Sequence, residues 1–239
     1  MGYGAAQGQP SPAVAVFGQF SDSTSQKPGT TNPTVVAFNT DNENEGIGHA
    51  RPEDFLTGEG VFAFLFQPQV ERTAGGASMD FHAWMRKGRR DGTVSAVAVS
   101  NPAVITAPNH RIQTGQMVTL SGLATTPDIN GAHVATSTGP NTFTIPVNVT
   151  AVTDGVGSWT RQLDVLDDAA NSNIELTLQT QDQSDVIPLG MVTRMLADDV
   201  VQFIQSVTNS GVGGGLVALT PAGEPAIPSI IATIIKHQG

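Results

Sequence analysis

Apolar residues in this chain occur in short segments with an alternating pattern, and turn residues interrupt them at close intervals. In residues 60–70, Phe62, Phe64 and Phe66 fall on one face of an extended strand, while Ala63 and Leu65 fall on the other. No segment keeps a 3.6-residue period over several turns, and 26 Gly and 15 Pro separate the apolar segments. This pattern predicts an all-β fold of short antiparallel strands.

Two predicted strands, residues 62–66 and 230–235, are apolar on both faces. An antiparallel sheet with one face in water alternates apolar and polar residues, so these strands have a second face to cover. One face covers the domain core, and the other covers either an inserted module or another subunit. We favour a subunit and predict a homotrimer. The residues expected in its interface or in the core are Phe62, Phe64, Phe66, Ile230, Ile231 and Ile234.

A change of composition near residues 87–90 divides the chain. Residues 92–161 are nearly neutral and rich in Thr, Val and Gly, with turn signals about every eight to twelve residues. The earlier pattern resumes at residue 162. We therefore predict an N-terminal arm at residues 1–12, a first part of the main domain at 13–91, an inserted β module at 92–161 and a second part at 162–239. The uncharged arm is a candidate contact with another chain of a larger assembly.

Charge and cysteine content exclude several classes of function. The formal net charge is −10, and a field of that sign repels phosphate backbones and anionic membranes. The chain has no cysteine, which excludes disulfides and thiolate zinc sites. The longest apolar run is too short to span a bilayer, and the first residues lack the pattern of a secretory signal. We expect an intracellular product with neither nucleic acid nor membrane as a partner.

Histidines and carboxylates offer few candidates for chemistry. No two of the five histidines have a close metal-ligand spacing, so a histidine metal site would need distant partners. We expect His82 to be a hydrogen-bonded core or interface residue, and His110 and His133 to hold turns of the insert. Residues 41–45 form an acidic loop that is a weak calcium candidate. Asp164, Asp167 and Asp168 are interpreted as solvated charges at the module boundary rather than as a glycosidase pair. We predict no enzyme and no cofactor.

The chain has one basic cluster, at the predicted start of the insert. Two interpretations are open: an electrostatic contact with an acidic partner, such as a capsid surface or a neighbouring subunit, and a solvated turn. The cluster consists of Arg86, Lys87, Arg89 and Arg90.

The outer segments resemble the trimeric jelly roll of the tumour-necrosis-factor and complement-globular-domain type, in the form found in phage and giant-virus structural proteins. The resemblance covers residues 13–91 and 162–239 in the family's order, and it implies an antiparallel jelly-roll sandwich and a trimer. The matching stretches are residues 17–22 (FGQFSD), 60–69 (GVFAFLFQPQ), 81–86 (FHAWMR), 171–177 (NSNIELT), 197–203 (ADDVVQF) and 225–231 (PAIPSII).

The segment between them resembles a second family, a small β-barrel first described in ubiquitin-activating enzymes and recurrent in phage head and tail proteins. Where that family has His-Gly-Leu at a tight turn, this chain has His110, Arg111 and Ile112. Without cysteine, ubiquitin chemistry is excluded, and the module is a spacer or contact domain. The matching stretches are residues 104–110 (VITAPNH), 114–122 (TGQMVTLSG), 129–131 (ING) and 141–145 (NTFTI).

The two resemblances together imply a non-enzymatic structural protein of a tailed-phage virion, assembled in the host cytoplasm. We expect a capsid decoration or cement protein whose partners are its own copies and the major capsid protein or other virion proteins. The alternative is a head-fibre or tail-tip protein that binds host surface glycans. Aromatic residues make up only 5% of the chain, which favours the scaffold role over the receptor-binding one.

Overall fold

Alternating apolar strands produce an antiparallel β-sandwich with a further group of strands inserted in mid-chain. The computed structural model describes residues 15–51 and 53–237. The predicted all-β jelly roll is confirmed, because the described residues form antiparallel sheets with only two short 3-10 helices. The arm predicted at residues 1–12 lies outside the described residues.

The strands fall into three groups along the chain. The first group is β1 (Phe17–Asp22), β2 (Thr34–Val35), β3 (Thr40–Glu45), β4 (Gly48–Arg51), β5 (Asp54–Leu56), β6 (Gly60–Arg72) and β7 (Met79–Arg89). The second group is β8 (Asp91–Val94), β9 (Ala96–Val97), β10 (Ala103–Thr106), β11 (Met117–Ser121), β12 (Ala124–Thr126), β13 (Gly131–Val134), β14 (Thr136–Gly139), β15 (Thr142–Ile145), β16 (Ala151–Asp154) and β17 (Gly157–Thr160). The third group is β18 (Ile174–Leu178), β19 (Ser184–Val186), β20 (Leu189–Met195), β21 (Asp199–Val207), β22 (Gly214–Leu216) and β23 (Ile230–His237), with 3-10 helices at Val165–Asp167 and Ser210–Val212.

The first and third groups combine into two sheets. In the first sheet, strand β6 pairs with β20 on one side and with β23 on the other, and the order continues through β1 to β3. The second sheet has the order β18-β7-β21-β5-β4. Strands from opposite ends of the chain are neighbours in each sheet, as in β1 with β23 and β7 with β21. Such pairing between strands that are distant in sequence is typical of a jelly roll.

The two sheets enclose a core rich in phenylalanine. Phe62, Phe64 and Phe66 of β6 are fully buried, and Phe66 stacks on Phe203 of the second sheet with ring centroids 4.6 Å apart. Ile230 and Ile234 of β23 are buried beside them. Removing a buried phenylalanine ring costs about 3–5 kcal/mol, so this layer supplies much of the stability of the sandwich.

The second group of strands has a core of its own. Three small antiparallel sheets surround a buried cluster whose members lie between Val94 and Trp159 in sequence. The module leaves and rejoins the sandwich at adjacent points, since β8 pairs with β17 and Asp91 lies opposite Thr160. It is therefore inserted between β7 and β18.

Two histidines hold turns of the insert, as predicted. The Nδ1 atom of His110 accepts a hydrogen bond from the N–H of Ile112 (2.9 Å), and its Nε2 lies 2.9 Å from the carbonyl oxygen of Gly139. Burial lowers the pKa of His110, which keeps the ring neutral and able to accept that bond. Arg111, which lies between His110 and Ile112 in the chain, has a backbone φ of 58°, in the left-handed region that favours glycine. His133 similarly contacts the carbonyl of Ile129 at 2.8 Å.

A buried ion pair joins the insert to the sandwich. Arg161 and Asp167 have side chains 0% and 3% exposed, and the guanidinium donates to both carboxylate oxygens at 2.6 and 2.9 Å. Gln116 of the insert donates to the same carboxylate at 2.8 Å. A β-carbon on Gly88 of β7 would lie 2.9 Å from Asp167, so glycine makes room for the pair.

The interpretation of the three aspartates as solvated charges is therefore wrong. Asp167 is buried in the ion pair, and Asp164 caps the short helix by accepting from the N–H of Leu166 at 2.8 Å. Asp168 accepts hydrogen bonds from Trp84 and Arg86. The sequence pattern showed the charges but not their partners, which come from distant strands.

The insert is expected to be separable from the sandwich. Replacing residues 92–160 with a Gly-Ser linker of about four residues should give a soluble, folded jelly roll, because the two cut ends lie side by side in adjacent strands. Circular dichroism and thermal unfolding check the result. Insoluble expression, or a spectrum without β structure, would show that the sandwich requires the insert to fold.

The Arg161–Asp167 pair provides a second prediction. Arg161→Met leaves the buried carboxylate without its cation and should lower the free energy of unfolding by about 3–5 kcal/mol. The double variant Arg161→Met/Asp167→Leu should recover at least half of that loss, because no buried charge is left unpaired. Guanidinium unfolding of the three proteins measures both effects. A single variant as stable as the parent would contradict the role given to the pair.

Candidate subunit interface

The outer face of the first sheet, which points away from the core, carries an apolar row across four strands. Each of its members lies opposite the next in the strand register, so the side chains project side by side. In order from β1 to β20, the row consists of Phe17, Ile235, Ala63 and Val192. Ile235 and Val192 are 45% and 68% exposed. Large exposed aliphatic side chains aligned on one sheet make this surface a candidate for contact with another molecule.

A second row of residues runs beside the first and has one large side chain between two smaller residues. Thr233 of β23 lies opposite Leu65 of β6, and Leu65 lies opposite Gly190 of β20. Leu65 is 46% exposed at the middle of this face. Gly190 and Ala63 project little, so a second sheet or a neighbouring subunit has close access to the leucine. We call the two rows together the outer apolar face.

Opposite charges border the outer apolar face. Glu43 and Glu45 of the edge strand β3 lie opposite Gln19 and Phe17, so both carboxylates are on this side of the sheet. Arg194 is exposed at the other border, on β20, and it makes no ion pair within residues 15–51 and 53–237. In a head-to-tail ring, one border of each subunit meets the other border of its neighbour. The borders of this face then have complementary charge.

The structure places most of the predicted interface residues in the core of the sandwich. Five of the six are fully buried, namely Phe62, Phe64, Phe66, Ile230 and Ile234. Ile231 alone is partly buried on the outer face. Leu65 and Ile235 belong to the strands predicted to be apolar on both faces, but neither they nor Val192 were among the six residues named from the sequence. Period-two alternation separates the two faces, but only the position of the second sheet determines which one is the core.

Arg86 and Arg90 of the basic cluster form ion pairs within the chain. Arg86 lies in strand β7 and donates from Nε to Asp168 at 2.6 Å. Arg90 pairs with Asp54, which is buried and also accepts from Gln202 at 2.7 Å. These two guanidinium groups are already neutralised by the protein itself.

The other two members of the cluster are also engaged. Arg89 lies 3.3 Å from Asp198, and the Lys87 ammonium donates to the Thr193 hydroxyl at 2.6 Å. The interpretation of the cluster as a solvated turn is wrong, since Arg86, Lys87 and Arg89 belong to a strand. The contact with an acidic partner stays a prediction, and it would compete with these internal bonds.

The acidic segment at residues 41–45 is not a loop. It forms strand β3, paired with β1, and one of its carboxylates, on Asp41, lies 2.9 Å from Nδ1 of His49. Glu43 and Glu45 lie opposite Gln19 and Phe17 on one side of the sheet, whereas a register shift puts Asp41 opposite Phe20, so the three carboxylates do not share one side of the strand and do not converge on one cation. The described residues contain no group of three or more potential metal ligands. In the same part of the chain no helix is long and apolar enough to cross a membrane.

Comparisons with known proteins do not identify a family for this chain. No protein-family model and no curated protein matches the chain. Among solved structures, the globular domain of a zebrafish complement 1qA protein aligns over 93% of this chain and 95% of its own, with 9% identity and a TM-score of 0.36. That likeness is too weak to carry any argument, and the jelly-roll assignment rests on the strand order itself.

Proposed function

We propose that this protein is a homotrimeric, non-enzymatic structural component of a tailed-phage particle, and specifically a decoration or cement protein on the capsid. The observation that supports the trimer is the outer apolar face with its acidic and basic borders. The sequence resemblances described above support the virion role. In this proposal, three outer apolar faces surround a three-fold axis and are buried there.

The charge pattern of the face suits a ring of subunits. In a head-to-tail ring, the border with Glu43 and Glu45 of one subunit meets the border with Arg194 of the next. Like charges in contact cost free energy and opposite charges fix the register. A closed ring of three also leaves no outer apolar face in water.

The proposed mechanism on the particle is mass action. A trimer that binds the assembled shell but not free coat subunits shifts the equilibrium towards the shell by its binding free energy. The N-terminal residues 1–12 and the base of the sandwich are the proposed contacts with the major capsid protein. A second candidate, a head-fibre or tail-tip protein that contacts host glycans, is supported by one feature of the second sheet, a cleft beside Trp84.

The trimer is tested by mass and by substitution. Multi-angle light scattering should give about three times the chain mass of 24.8 kDa. Leu65→Asp should yield a folded monomer, because it places a carboxylate in the middle of the proposed interface. The matched control is Leu166→Asp, since Leu166 is 44% exposed on the 3-10 helix away from this face. A parent protein that is monomeric, or a Leu65→Asp protein that stays trimeric, would contradict the proposal.

The capsid location has its own test. An antibody raised against the purified protein should label the heads of intact virions in electron micrographs, at many sites per particle. Removing residues 1–12 should weaken binding of the trimer to virion shells stripped of decoration proteins, because the arm is proposed to contact the coat. Label at the tail tip alone would refute the decoration role, and unchanged binding of the truncated protein would leave the arm without a function.

A further inference from the structure

The outer face of the second sheet, on the opposite side of the sandwich from the outer apolar face, contains an open cleft. Its volume is about 530 Å³, within the range of small-molecule sites. Its floor is formed by His82 and Trp84 of β7 and Ser206 of β21. Its walls come from the chain that returns from the insert, including Asn171 and Asn173, and from Thr31 and Thr208.

The indole of Trp84 is held in a fixed position in this cleft. Its Nε1 donates to Oδ1 of Asp168 at 2.9 Å, and the same oxygen accepts from Nε of Arg86 at 2.6 Å. Arg86 also lies over the Trp84 ring, 6.0 Å from its centroid, but it does not line the cleft. A partly exposed tryptophan whose polar atom is already satisfied presents only its apolar surface to a ligand.

The polar groups around the indole are neutral or paired. Asn171 and Asn173 are exposed amides that can both donate and accept, and Ser206 and Thr208 add hydroxyl groups. Arg86, which lies over the indole, is paired with Asp168, and His82 lies 3.7 Å from the carboxylate of Glu175. An anionic ligand would therefore meet carboxylates without a free cation to neutralise it.

The backbone conformation of Asn171 also helps to place its side-chain amide at the rim of the cleft. Asn171 has a φ of 63°, a left-handed conformation that asparagine tolerates better than most residues. The buried hydroxyl of Ser172, the next residue, accepts from the N–H of Met85 at 3.0 Å and ties this return segment to β7. The rim is consequently fixed to the same strand that carries the tryptophan.

From this arrangement we infer that the cleft binds a neutral sugar ring. A pyranose has an apolar C–H face that packs on an aromatic ring, and hydroxyls around its edge that amides and hydroxyls satisfy. The cleft offers a fixed indole against which the C–H face can pack. The Asn171, Asn173 and Ser206 side chains can form hydrogen bonds with the sugar hydroxyls. Uronic acids, sialic acids and phosphorylated sugars are disfavoured by the paired and acidic surroundings. The inference does not depend on the trimer, because the cleft lies on the other sheet.

Saturation-transfer NMR on the full chain tests this inference with a set of neutral sugars: glucose, galactose, mannose, rhamnose, N-acetylglucosamine and N-acetylgalactosamine. At least one should show saturable transfer with a dissociation constant on the order of millimolar. Trp84→Ala should weaken that binding by about tenfold or more, and Asn173→Ala by about threefold. Asn148→Ala, an exposed asparagine of the insert, serves as the matched control and should leave binding unchanged.

Two further measurements keep the test decisive. Asn171→Gly removes the amide at a backbone conformation that glycine adopts freely, so it reports on binding even if Trp84→Ala does not fold. Glucuronic acid tests the charge argument and should bind more weakly than glucose. Absence of transfer for every neutral sugar, equal binding by the cleft variants, or tighter binding of glucuronic acid would overturn the inference. None of these results changes the mass expected from light scattering, so the two proposals fail separately.

Discussion

Burial of one face of β6 is the interaction on which the rest of the sandwich depends. This strand of 13 residues pairs directly with β19, β20, β22 and β23, and its three phenylalanines form the middle of the core. A strand at the centre of a sheet cannot slip by one residue without moving all three rings into solvent. The register of β6 therefore also fixes which residues of β20 and β23 face outwards.

The same core separates two surfaces with different chemistry. The first sheet presents aliphatic side chains between charged borders, suited to a copy of the same chain. The second sheet presents an indole among amides and hydroxyls, suited to a small polar ligand. Because the sheets pack face to face, about 10 Å apart, the two surfaces point in opposite directions. A trimer that buries the first would leave the second at its periphery.

The insert affects the sandwich mainly through the point where the chain returns. Arg161, Asp167 and Asp168 lie close to that point in the chain: Arg161 donates to the carbonyl of Arg111, Asp167 accepts from Gln116, and Asp168 accepts from Arg86 of β7. Asp167 forms the buried ion pair where the insert joins the sandwich, while Asp168 accepts the hydrogen bond that orients the Trp84 indole. A structural ion pair and the wall of the candidate cleft thus share one short segment.

The sequence by itself determined the all-β class, the strands of the outer segments and the alternation that separates core-facing from outward-facing residues of β6 and β23. These are local properties, since side-chain direction in a strand follows from a period of two. It also indicated the turn-holding roles of His110 and His133. It did not determine which face of each strand was the core, and five of six residues named for the core or interface proved to be core.

Only the tertiary structure decided the ion pairs and the two surfaces. Arg86 pairs with Asp168, 82 residues away in sequence, and Arg90 with Asp54, 36 residues away. Trp84 lines one cleft with Asn171 and Asn173 because the chain returns from the insert beside β7. Such contacts depend on strand order and register between distant segments, and no local pattern specifies them. For that physical reason the three aspartates looked like solvated charge in the sequence, and the basic cluster was open to two interpretations.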